Sequence, residues 1–131
     1  MATTSSESGS RTEIWDQLYE VLAAQPRRMI IFSLLKEPDE RRLPLPDAAQ
    51  SHDQSTNDEN FRLQLCHHHL PKLADAGYVR WERDPFRVER GPHFEEPALV
   101  VRQMTDNSIE YPRRLREECV VIGEVGQRGS D

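Results

Sequence analysis

Lysine is almost missing from this chain. Of its 17 basic residues only Lys36 and Lys72 are lysines and the rest are arginines, set against 23 acidic residues and a formal net charge of −6. Such an acid-rich, lysine-poor balance suits a protein that stays hydrated in concentrated salt. It argues against a polyanion binder with a broad positive surface, because phosphate contacts draw on clustered positive charge and weaken steeply as salt rises. Screening in strong salt shortens electrostatic reach to about 3 Å at 1 M, so a small, local basic surface can still serve. Long apolar runs are missing too. Nothing approaches the ~20 residues that span a bilayer and no signal peptide is recognisable, so a cytoplasmic protein without membrane contact is expected. The two cysteines, Cys66 and Cys119, are expected as reduced thiols. Catalytic signatures are equally scarce: there is no nucleophile elbow, P-loop, dinucleotide fingerprint or HExxH. The adjacent carboxylates Glu95-Glu96 and Glu117-Glu118 read as solvated faces rather than acid–base pairs. A non-enzymatic protein with no cofactor is expected, in one small domain with tails.

What is present is organised around residues 56–79, TNDENFRLQLCHHHLPKLADAGYV. Thr56 and Glu59 form a T-x-x-E capping box, which predicts a helix start. Leu63, Cys66, Leu70 and Leu73 follow at spacings of three and four, predicting a buried stripe with Gln64, His68, Lys72 and Asp75 on the other side. Pro71 stands inside this pattern, where it removes a backbone bond, and a kink after His67 is expected. Gly77 predicts a left-handed stop, after which Tyr78–Trp81 alternates as a strand.

The rest reads as support. Residues 1–10 are a polar lead and residues 123–131 a polar end, both expected to stay disordered. Ser10 and Glu13 open a first helix to about Ala24, and Pro26 opens a second, dense in apolar residues from Met29 to Leu35 and stopped by Pro38. Leu45, Ala48 and Ala49 predict a short helix beginning at Asp47, with SHDQS as the turn into Thr56. Phe86–Glu89 returns as a second strand through Asp84-Pro85. Phe94–Asn107 is a further helix, and Pro112 starts a short one before an apolar run, VVIG.

Helix, stop, strand, strand is the order in which a recognition helix passes into a wing. The run HLPKLADAGYV resembles the end of the recognition helix in winged helix-turn-helix regulators of the ArsR type, with their H-L-x-x-L-x-x-A-G-L-V pattern. It is similar in more detail to a winged-helix domain widespread in haloarchaeal proteins, which couples an early P-R-R motif, here Pro26-Arg27-Arg28, to a later H-x-H-L-P-K-L-x-x-A-G motif, here His67 to Gly77. The resemblance spans about Glu13 to Gly91. It implies a mainly α fold with a small β-hairpin wing (α+β, winged helix-turn-helix) over residues 11–92. A helical segment over residues 93–122 would follow, and could serve dimerisation. The implied function is sequence-specific binding of double-stranded DNA and regulation of transcription, with a homodimer placing two recognition helices in successive major grooves about 34 Å apart.

The residues expected to touch DNA are Gln64, His68 and Lys72 on the long helix with Arg83 and Arg87 in the wing, since Gln pairs with adenine edges and Arg or Lys holds phosphate or guanine. The charge is thin: residues 57–76 carry a net −1 and residues 80–90 a net +1. That favours an alternative, a winged-helix protein-interaction module that does not bind DNA. Arg27-Arg28 is expected to pack or pair rather than hold phosphate. Three consecutive histidines cannot converge on one ion, because neighbours on a helix point about 100° apart. Cys66 and His69 share a face and would need His93, His52 or Cys119 to complete a set. Surface or capping roles are therefore expected for the histidines, with no metal.

Overall fold

The computed structural model describes residues 13–50 and 59–118. The Ser10–Glu13 and Thr56–Glu59 caps, the SHDQS turn, both polar tails and the VVIG run lie wholly or partly outside them. The described chain is mixed α+β. Helix α1 runs over residues 13–21, α2 over Gln25–Leu35, and β1 over Leu43–Pro44. A 3-10 turn follows at Asp47–Ala49, then α3 (Glu59–Gln64), a π turn (Leu65–His69) and α4 (Leu70–Asp75). The strands β2 (Val79–Arg83) and β3 (Phe86–Arg90) precede α5 (Glu95–Asp106), a 3-10 turn (Ser108–Glu110) and α6 (Arg113–Glu118).

The sheet is antiparallel with order β1-β3-β2, so the hairpin expected from the alternation carries a third strand. Leu43 pairs with Val88 and Pro44 with Arg87, which ties the hairpin to the segment after α2. Two residues are too few to read as a strand in sequence, and Pro44 within it and Pro46 just after it point away from one. The predicted short helix at Asp47 is a single 3-10 turn, with Ala48 and Ala49 buried.

The core gathers around α2, whose Ile30, Ile31 and Leu34 are sealed from solvent together with Leu65, Leu70, Leu73, Val88, Ala98 and Val101. Arginine guanidinium groups close the helix ends. Arg27 Nε donates to Val21 O at 2.6 Å and its Nη2 to Glu20 O at 3.2 Å, while Arg28 Nη1 donates to Leu22 O at 2.7 Å. Arg90 Nη2 does the same for α2, reaching Leu34 O and Glu37 O at 3.0 and 2.9 Å. The last carbonyls of a helix have no intrahelical donor and sit at its negative end, so a planar cationic fork satisfies both needs at once. The packing expected for Arg27-Arg28 is what these bonds show.

The long helix departs from its expected stripe. Leu70 and Leu73 are buried, but Leu63 is 52% exposed and Cys66 half-buried, and Leu65 and His69 take the inner positions. The cause is Pro71. Its ring would collide with the carbonyl four residues back and it offers no N–H, so the turn before it widens: Leu70 N–H bonds to Leu65 O, five residues away. Leu65 and Leu70 thereby share one side, where an unbroken α-helix would set them about 140° apart. The expected kink after His67 is this π turn, and α4 begins afresh with Pro71 in its first turn.

Gly77 ends α4 at φ +81° in a Schellman arrangement, Tyr78 N–H to Leu73 O at 3.0 Å and Gly77 N–H to Ala74 O at 2.9 Å. A Cβ there would stand 2.7 Å from His93 Cδ2, so only glycine lets the Gly91–His93 turn close over it, held by His93 N–H to Gly77 O at 2.7 Å. The neighbouring Tyr78 is buried, and its hydroxyl has no partner among the described residues. Burial, helped by Glu96, pushes that phenol above its ordinary value.

Candidate functional site

The long helix has two flanks. Gln64, His68 and Lys72 recur at every fourth residue, and His68 and Lys72 are turned toward α1. Lys72 Nζ lies 3.1 Å from Glu20 Oε2, and His68 and Lys72 line a small polar groove of about 320 Å³ with Gln17 and Glu20. Gln64, at the end of α3, remains exposed. Of the three helix residues expected to face DNA, one is ion-paired within the chain and a second shares its groove.

The hairpin separates the other two expected residues. Residues directly opposite in an antiparallel pair point to the same side of the sheet. Arg83 stands opposite Phe86, whereas Arg87 stands opposite Glu82 one position along, which puts the two arginines on opposite faces. Arg87 is tied down on its face, its Nε 3.2 Å from Glu82 Oε2. Alongside, Arg42 Nε lies 3.6 Å from Glu89 Oε1. The five residues therefore do not converge.

What does converge is a seam between α3 and the inner face of the hairpin. The Arg62 guanidinium sits 4.5 Å over the Phe86 ring, Phe86 meets Trp81 edge-on at 6.3 Å, and the Arg83 guanidinium lies 5.9 Å over Trp81. The row Arg62–Phe86–Trp81–Arg83 holds two exposed cations on two half-buried rings. Each ring contact attracts its cation by roughly 0.5–1 kcal/mol at an exposed site, enough to orient it while its N–H edge stays in water. Sequence reasoning missed Arg62 because the assumed stripe gave it no outward role. The signal lay in the four residues from Arg83 to Phe86, where a turn returns an aromatic directly opposite a cation.

The histidines divide as well. His67 and His68 are exposed, but His69 is buried, and Arg27 Nη1 lies 3.0 Å from its Nδ1. A guanidinium only donates, so Nδ1 accepts and His69 is the neutral tautomer with its proton on Nε2. Burial first, then Arg27 and His68, lower its pKa to about 4. Burial likewise works against the Arg27 charge, Glu20 offsetting part of this. The two motifs singled out in the sequence, Pro26-Arg27-Arg28 and the histidine run, thus meet in one hydrogen bond. With its Nδ1 engaged, His69 does not pair with Cys66 as a ligand set, and among the described residues no three His, Cys, Asp or Glu side chains gather around a metal position. Cys66 is a free thiol, while His52 and Cys119 lie outside the described residues. No helix among the described residues is long and apolar enough to cross a membrane.

No curated protein and no solved structure matches the chain. Residues 19–89, more than half of the sequence, match the profile of a domain of unknown function, DUF7344, and the stretch holds the Arg27–His69 bond, the π turn and the whole Arg62–Arg83 seam. The chain belongs to the DUF7344 family.

Proposed function

We propose that this protein is a winged helix-turn-helix regulator that binds double-stranded DNA through the start of the long helix and the hairpin beside it. The order of elements supports the reading: a short helical turn at Asp47–Ala49, a long helix, then a two-stranded hairpin anchored by a third strand. The observation that carries it is the Arg62–Phe86–Trp81–Arg83 seam, where aromatic rings preset two guanidinium groups along the edge that helix and hairpin share. Guanidinium groups held this way suit bidentate contact with phosphate. Beside them Leu63, Gln64 and His67 stand exposed. Leu63 offers an apolar contact to a thymine methyl and Gln64 a bidentate pair to adenine in the major groove. Few cations are spent on phosphate, so salt dependence is shallow, a slope near −0.9 per contact. That fits a chain of net charge −6. Lys72 and Arg87 are held in ion pairs within the chain and are left out of the contact set.

Selection from fragmented genomic DNA at multimolar KCl tests this. The native chain enriches defined sites, and Arg62→Ala and Arg83→Ala each lower affinity ~10-fold and reduce the salt slope by about 1. Arg87→Ala leaves binding close to native. Absence of enrichment at any site overturns the proposal. The reading that then stands is a protein-interaction module without DNA binding, which the internal ion pairs of Lys72 and Arg87 favour.

A further inference from the structure

Away from the seam, and sharing no residue with it, α1, α5 and α6 border an apolar groove of about 780 Å³. That volume lies within the ~300–1,000 Å³ of ordinary small-molecule sites, which are mostly apolar with a few polar groups that fix orientation. This groove has both parts. Trp15, Tyr19, Leu99, Met104 and Leu115 line its walls, and the Trp15 and Tyr19 rings run on from one another, their centroids 6.0 Å apart and their planes 30° from parallel. Such a pair gives a flat aromatic body an offset-stacked partner that aliphatic walls do not.

Among the described residues, two charged side chains line the groove, Arg28 and Glu118. They are not equivalent. Glu118 is exposed at the last position of α6, where water and salt screen it. Arg28 is half-buried at the start of α2. Its Nη1 donates to Leu22 O at 2.7 Å, and its Nε, closed off from solvent, has no acceptor among the described residues. A guanidinium carries five N–H donors in a planar fork, so most of this one is unspent. The remaining charges of α1 and α6 lie off the groove: Glu20 pairs with Lys72, Glu117 pairs with Arg113, Glu13 and Asp16 border a separate groove, and Arg114 and Arg116 do not line this one.

We infer that the groove binds a small planar aromatic carboxylate, one ligand per chain, with its ring along Trp15 and Tyr19 and its carboxylate on the Arg28 guanidinium. A planar anion fits that fork in two parallel N–H···O bonds, and partial burial keeps the contact from being screened as a surface pair is. The inference is independent of DNA binding, since it uses none of the seam's residues and is read with no nucleic acid present.

Isothermal titration calorimetry of the full chain tests it, with naphthoate as the probe and naphthamide, its uncharged analogue of the same shape, beside it. The native chain binds one naphthoate with a Kd on the order of 100 μM, and naphthamide ~10-fold more weakly. Arg28→Gln weakens naphthoate ~10-fold and leaves naphthamide as it was, a split that a merely loosened fold would not give because it would weaken both. Trp15→Ala, at a side chain 57% exposed and outside the core, weakens both ligands alike with unchanged circular dichroism. An absence of saturable heat from naphthoate overturns the inference and leaves the groove to a second copy of the chain. Equal affinities for naphthoate and naphthamide, an Arg28→Gln loss shared by both ligands, or a Trp15→Ala variant that binds as the native chain does overturns it as well.

Discussion

The two halves of the long helix live in different surroundings. After the π turn, α4 buries Leu70 and Leu73 completely and anchors the chain through the Schellman stop at Gly77. Before it, α3 buries no residue and touches the hairpin through Arg62. One helix by sequence is thus two by environment, a buried half and an exposed half, with the π turn ahead of Pro71 between them. A protein that needs polar side chains at a surface and a firm base beneath them gains both from a single widened turn.

The sharpest way to break this contrast is to cut into each half. Leu70→Ala removes a sealed side chain and is expected to lower unfolding free energy by about 2–5 kcal/mol, whereas Leu63→Ala, at a half-open position, shifts it by no more than about 0.5 kcal/mol. Urea titration of the two variants decides the matter, and comparable losses would mean that α3 is packed through Leu63 as well as through Phe61.

The next largest effect is in pH. His69 titrates at about 4 in the folded chain against about 6.5 when unfolded, so between those values the unfolded state binds the extra proton. Stability from this residue is therefore complete above pH 6.5 and falls as the pH drops through 4, by roughly 3 kcal/mol in all. A His69→Gln variant, which keeps an acceptor for Arg27 but cannot titrate, should lose that part of the pH dependence. Parallel stability curves for native chain and variant across this window would show that His69 does not carry it.

The smallest expected effect sharpens the boundary itself. Proline in the interior of an α-helix costs about 3 kcal/mol, but Pro71 stands in the first turn of α4, where its missing N–H has no helical use. Pro71→Ala is then expected to change stability by less than about 0.5 kcal/mol. A gain of several kcal/mol would show that the proline strains the helix rather than dividing it.

Much of this was legible beforehand. The Arg27 and Arg28 packing, the left-handed Gly77 and the hairpin from Val79 to Arg90 follow from residue types whose backbone or charge leaves few alternatives. The candidate site was less so. Gln64, His68 and Lys72 follow from a 3.6-residue period carried across Pro71, and Arg83 and Arg87 from being arginines in the expected hairpin. The π turn shifts the first, and the register of β2 against β3 divides the second, setting Arg83 and Arg87 on opposite faces.

The sequence by itself determined the elements and their stops, because capping, proline and glycine act within a few residues of where they stand. Only the tertiary structure decided which cations are spent inside and which stay outside. Lys72 and Arg87 found carboxylates, and Arg62 and Arg83 found aromatic rings. Arg27 found the one histidine of three that the widened turn carries inward. Those partners lie up to 52 residues apart, and a side chain's role at such range is set by where packing delivers the other half of the pair.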